Sequence, residues 1–255
     1  MSLWRTSLRA SLLGGLAAGG VAAAFTLLVL EPTIKLALAI EDARSAAAHG
    51  HGDMVHETVL VTRGWQQVGG ALAVLVSALL LSLIYSVVLT RFRRAWNVGE
   101  LQGALLVALG CFAVFALAPG VKYPANPPAV GDPATVTERT TLYVGSVVLA
   151  ALVAVAVLVV AGTARRHRWS ATRTCWTVAA VMTAGGVLLF AGLPPSPDAI
   201  PADVGAGLVW RFRVQSLGML ALLWATIGLV SGTLLARQSR ADRATAHARR
   251  ALTSW

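Results

Sequence analysis

Long apolar runs separated by short polar stretches set the pattern of this chain. Six runs approach the roughly 20 residues that cross a hydrocarbon core of about 30 Å. They cover Ser7 to Leu30, Val68 to Thr90, Leu101 to Pro119, Leu142 to Gly162, Thr174 to Leu193 and Trp210 to Ala236. Each mixes Ala, Val and Leu with scattered Gly and lacks the alternation of a barrel strand, so the pattern predicts transmembrane helices. The expected fold is all-α, a polytopic bundle of six spans. The first run imitates a secretory signal, with basic residues before it and "AAAF" at 22 to 25. It stays apolar through Leu30, which predicts a retained helix.

Composition agrees. Hydrophobic residues make up 56% of the chain and charged residues 13%, with mean hydropathy +0.70, which excludes an ordinary soluble domain. A formal charge of +10 would suit nucleic acid, but its placement says otherwise. Arg5 and Arg9, then Arg91, Arg93 and Arg94, then Arg165, Arg166, Arg168 and Arg173, and finally Arg237, Arg240, Arg243, Arg249 and Arg250 fall on one side of the threading. The acidic residues, save Glu100 and Asp242, fall on the other. Basic excess of this kind marks the cytoplasmic side and predicts both termini there. No nucleic-acid partner is expected, because the arginines are spread over four short segments.

The second, fourth and sixth spans open alike, with "RGWQQVGG" from 63, "RTTLYVGS" from 139 and "RFRVQSLG" from 211. Arg63, Arg139 and Arg211 are each followed four residues later by Gln67, Tyr143 or Gln215, one helical turn on and on the same face. The chain therefore reads as three helical hairpins on one plan, residues 1–94, 95–168 and 169–236, followed by a basic tail at 237–255. Snorkelling cations and small residues at helix contacts produce the same repeat without common ancestry. The six repeated residues would form a polar ring facing inward near the outer surface. Lys122, Tyr123, Asn126, Asp132 and Arg213 complete this candidate pathway or gate.

The outer connections differ. "TIKLALAIEDARSAAAHG" holds no breaker after Pro32, so the first helix is expected to run on as a stalk. Asp53 can cap a second helix entering the next span. At the tip, "HGHGDMVHE" gathers His49, His51, Asp53, His56 and Glu57, a mixture of imidazole and carboxylate that suits a divalent transition metal. Polar, glycine-bounded loop tips also carry histidines by composition alone. The second connection has Pro119, Pro124, Pro127, Pro128 and Pro133 and the third Pro194, Pro195, Pro197 and Pro201, which predicts two stiff, non-helical lids. "TVTE" at 135 to 138 reads as a capping box.

"LAPGVKYPANPPAVGDPATVTERTTLY" (117 to 143), with "EPTIKLALAIED", "VTRGWQQVGG" and "LVWRFRVQSLG", resembles the membrane proteins called CbtA, proposed subunits of a cobalt transporter. The likeness covers most of the chain. It implies cobalt uptake across a bacterial cytoplasmic membrane, with cobalt(II) as the transported ion and not a cofactor. It also implies a small single-span partner with a His-rich end, CbtB. Members are often described with five spans, against six counted here.

Within the spans, His, Asp, Glu, Lys and Arg occur only near the ends, which speaks against a proton relay. Glu31 and Lys35, four apart, suit an ordinary helical ion pair. Cys111 and Cys175 sit at different depths and suggest neither a disulfide nor a redox motif. No GxxxxGK[ST] occurs and no nucleophile stands with a base, so an enzyme is not expected. "GLAAG" (15 to 19) and "GLVSG" (228 to 232) suit close contact between helices, or between copies in a homo-oligomer. Two functions remain, a permease for divalent cobalt that captures the ion at its outer face, or a non-transporting scaffold that holds a partner through the proline-rich loops. The ring's arginines would repel a bare cation. Either Glu57, Asp132, Glu138 and Asp203 neutralise them, or the pathway carries a complexed metal or an anion.

Overall fold

The computed structural model describes residues 3–48 and 62–252. Among them there is no strand, and six helices are long and apolar enough to cross a membrane: Leu3–Ala47, Gly64–Ala95, Glu100–Lys122, Pro133–Arg166, Ala171–Gly192 and Ala206–Ala246. In chain order the α-helices are α1 (Leu3–Phe25), α2 (Glu31–Ala48), α3 (Arg63–Ala95), α4 (Glu100–Phe112), α5 (Ala118–Lys122), α6 (Val136–Arg166), α7 (Ala171–Val187) and α8 (Ala206–Leu252). Three five-residue π-helical segments interrupt this series, at Thr26–Leu30, Ala113–Leu117 and Leu188–Gly192. Each lies in an odd-numbered span shortly before a connection expected to be outside. Such segments are rare, and they occur frequently at functional sites.

As expected, the first helix continues beyond its apolar run, since α2 follows the π segment directly and rises about 27 Å over its 18 residues. The start of the helix expected from Asp53 falls outside the described residues, but it does not run unbroken into the next span, because Thr62 is extended and α3 begins at Arg63. The second connection departs from expectation in two places. Pro119 sits inside the continuous helix Glu100–Lys122, just after the second π segment, and the helix persists to Lys122 because the Phe115 carbonyl of the preceding turn accepts from the Tyr143 hydroxyl. "TVTE" is not a capping box. Thr135 closes a 3-10 turn (Pro133–Thr135) with near-helical backbone, its side chain makes no cap, and Asp132 caps instead by accepting from Ala134 N at 2.8 Å.

The chain divides into two units. The first comprises residues 1–29, 56–111 and 218–255, so it holds α1, α3, most of α4 and the larger part of α8. Its helices meet through small residues. A Cβ on Gly15 would lie 2.6 Å from Ser82 Cβ, and one on Gly19 3.0 Å from Leu75 Cα, so α1 approaches α3 almost backbone to backbone. Gly228 and Gly232 do the same for α8 against Ala108 and Ala104 of α4. Both GxxxG sequences are therefore contacts within the monomer. Between these seams Tyr85 and Trp224 are wholly buried, with ring centroids 6.5 Å apart. The Tyr85 hydroxyl donates to Ala104 O at 2.9 Å and lies 3.0 Å from Ser231 Oγ, which supplies the partner a buried phenol needs.

At one end of this unit Arg93 joins α1 and α4 directly, and α8 through Glu100. Its Nε and Nη2 grip Glu100 of α4 at 2.7 Å each, and Nη1 donates to Ser7 Oγ of α1 at 2.8 Å. Ser239 of α8 donates to Glu100 Oε1 at 3.2 Å. A two-pronged guanidinium–carboxylate pair is among the stronger polar contacts available to a protein.

The second unit comprises residues 30–55 and 112–217. A small apolar cluster of Val130, Val204 and Val209, with Ile40 and Leu208 packed on it, ties α2, the second and third connections and the start of α8 together. Ser170 caps α7 by accepting from Arg173 N.

Candidate functional site

The polar residues of the second unit gather where its connections meet its helices. Thr33 of α2 is almost fully buried and donates to Gln215 Oε1 of α8 at 2.8 Å. Two residues earlier on α8, Arg213 Nη2 donates to Asn126 Oδ1 of the second connection at 2.8 Å. Lys122 Nζ, at the end of α5, donates to Phe190 O and Leu193 O at 3.0 and 2.9 Å. Tyr123 donates to Pro194 O at 2.7 Å, and burial pushes its hydroxyl up from the usual phenol range. These contacts fasten the two proline-rich connections to each other.

A second fastening stands beside them. Arg139 of α6 pairs with Asp198 of the third connection at 3.1 Å, and Thr135 Oγ1 donates to the same carboxylate at 2.7 Å. Asp198, with no exposed side-chain area, would be costly to bury as an anion without these partners. Gly131 makes room for the guanidinium. Its φ of +114° suits glycine alone, and a Cβ there would lie 2.7 Å from Arg139 Nη1. On α2, Arg44 makes a two-pronged pair with Asp203 at 2.8 Å, which holds the Asp203 carboxyl below the usual range.

Each residue expected at the site can now be placed. His49, His51, Asp53, His56 and Glu57 lie outside the described residues. Among the described residues no group of three or more His, Cys, Asp or Glu could hold a metal ion. Arg63 and Gln67 belong to the first unit, where Gln67 borders an apolar groove of about 390 Å³ between α1 and α3. Lys122, Tyr123, Asn126, Asp132, Arg139, Tyr143, Arg211, Arg213 and Gln215 belong to the second. Of these the structure brings Arg213 to Asn126 and Arg139 to the Asp132 carbonyl, at 3.3 Å. Tyr143 donates to Phe115 O at 3.3 Å, inside the second π segment, and Arg211 is exposed.

Charge is balanced by partners other than those anticipated. Asp198, not Asp132 or Glu138, neutralises Arg139, and Asp203 is taken by Arg44. Sequence reasoning took Glu31 as half of a helical pair with Lys35 and did not foresee its burial. It follows the first π segment directly and is 7% exposed, a buried carboxylate within an apolar helix. Its signal was present, an acidic residue at the end of a 24-residue apolar run.

Six apolar helices, seams of glycine and serine, and polar groups collected around irregular connections define a polytopic α-helical membrane protein. The chain belongs to the CbtA family, described as a probable cobalt transporter subunit, whose model matches residues 4–236. Neither a curated protein nor a solved structure matches it.

Proposed function

We propose that the chain is the permease of a cobalt uptake system in a bacterial cytoplasmic membrane, gathering Co²⁺ at its outer face and passing it inward between three hairpins. The observation that carries this reading is Glu31, a carboxylate buried beside a π-helical break. A hard-to-dehydrate divalent cation needs such a group where water is excluded, and ionisable residues within membranes mark ion pathways. Thr33 and Gln215, hydrogen-bonded to each other in the same unit, are the further oxygen donors proposed for the path.

The recurrence of π segments at corresponding places in the three odd-numbered spans supports the three-hairpin plan. The arginine distribution supports cytoplasmic termini. His49, His51 and His56, with Asp53 and Glu57, are the proposed capture site, one of weak, exchangeable affinity. Within the second unit Arg139, Tyr143, Arg211 and Gln215 are the proposed gate, the repulsion of cations at Arg139 eased by Asp198.

Cobalt uptake by vesicles holding only this chain tests the proposal. Accumulation is expected, and Glu31→Gln should abolish it while leaving helix content unchanged. Alanine at the three histidines should raise the cobalt concentration needed for half-maximal uptake, more at pH 7.5 than below pH 6.5, where histidine is protonated. Transport unchanged in Glu31→Gln would refute the pathway. No transport by the chain alone would favour the second reading, a scaffold subunit that holds a single-span, His-rich partner. The mutual fastening of the two proline-rich connections favours that reading, because it makes them one stiff surface.

A further inference from the structure

Beside the Arg93–Glu100 clamp, α4 and α8 leave a groove of about 720 Å³ within the first unit. Its α4 wall is apolar, with Leu105, Leu106 and Leu109 exposed by 39, 46 and 63%. Its rim is basic. Arg240 and Arg243 line the groove three residues apart, one turn along α8, and both are exposed. Among the described residues no carboxylate pairs with either of them, although exposed Asp242 lies between them in sequence and offsets part of their charge. Glu100 also lines the groove, but its carboxylate is filled by Arg93 and Ser239 and adds no free negative charge.

We propose that this groove binds one anionic phospholipid, its phosphodiester held by Arg240 and Arg243 and an acyl chain lying on Leu105, Leu106 and Leu109. The geometry suits a lipid. From Gln102 to Leu109 α4 rises about 10 Å, some two thirds of the hydrocarbon depth of one leaflet. The cations thus stand where headgroups lie when the leucines face acyl chains. Guanidinium forks match phosphate oxygens in pairs and are more weakly hydrated than ammonium groups. Charge complementarity selects the headgroup, because a zwitterionic lipid would bring its own cation against the two arginines.

Native mass spectrometry of the full chain in mild detergent, titrated with phosphatidylglycerol and phosphatidylcholine of matched acyl chains, tests this. Phosphatidylglycerol should be retained preferentially as a single copy. The double variant Arg240→Gln/Arg243→Gln should lower that preference roughly thirtyfold. Arg237→Gln, exposed but off the groove, should leave it unchanged. Independently, tryptophan at Leu109 should be quenched more by bromine-labelled phosphatidylglycerol than by its phosphatidylcholine counterpart. Equal retention of the two lipids overturns the proposal. So does an Arg237→Gln loss as large as the double variant's, which would mean diffuse surface attraction.

Discussion

Replacing Arg93 with methionine is the sharpest test of how the first unit is held. The substitution keeps much of the side-chain volume but removes three contacts: two to Glu100 at 2.7 Å and one to Ser7 at 2.8 Å. Breaking a buried ion pair from one side costs about 3–5 kcal/mol, mostly because the remaining charge stays desolvated. Here Arg93 is 13% and Glu100 24% exposed, so water can reach the orphaned carboxylate and the cost falls below that range. We expect about 2–3 kcal/mol, with Ser239 keeping one hydrogen bond to Glu100. The assay is unfolding by sodium dodecyl sulfate in dodecyl maltoside micelles, followed by circular dichroism. Arg93→Met/Glu100→Leu, with no charge left to strand, should cost less than Arg93→Met alone, a coupling of opposite sign to simple addition. A loss under about 0.5 kcal/mol for the single variant, or additive losses in the pair, would refute the reasoning.

Three further expectations follow. Gly228→Ala places a methyl 2.6 Å from Ala108 Cβ and should cost about 1–3 kcal/mol in the same unfolding assay, whereas Gly110→Ala, with open space around it, should cost nothing measurable. Arg44 holds the Asp203 carboxyl below its ordinary value, so the pair's stabilisation is complete above about pH 4 and fades as pH falls through the depressed value; Asp203→Asn should erase that acid-side dependence of the melting temperature. Cysteines placed at His51, Ala125 and Ala202 in a cysteine-free background should all react with a membrane-impermeant maleimide from outside intact cells. Reaction of any one only after permeabilisation would break the three-hairpin threading.

The spans were legible because about 20 apolar residues in a row admit few other readings, and Pro32, already inside a helical turn, did not stop the first helix. The glycine seams were legible as spacing, and the structure supplied their partners. The π segments were not foreseen. "TLLVL", "AVFAL" and "LLFAG" do not differ from ordinary helix in their own residues; their common mark lies just beyond them, a proline two residues on at 32, 119 and 194, whose missing N–H and ring disturb i→i−4 pairing. Arg139 was correctly singled out, but its partner Asp198 lies 59 residues away, beyond any rule of local spacing. Thr135 failed as a cap for a related reason. Its hydroxyl is drawn to Asp198 and the Asp132 carbonyl, a tertiary demand that overrides the local motif.

The placement of Lys122 alters the electrostatics of the face proposed as outer. Its ammonium ends on two carbonyl oxygens at the close of the Leu188–Gly192 segment, where a helix presents its negative pole. The field of that cation is therefore spent locally, as Arg139's is on Asp198. Among the described residues near these connections, a divalent ion would then meet chiefly Arg211, which is exposed, and Arg213, whose amide partner Asn126 carries no charge.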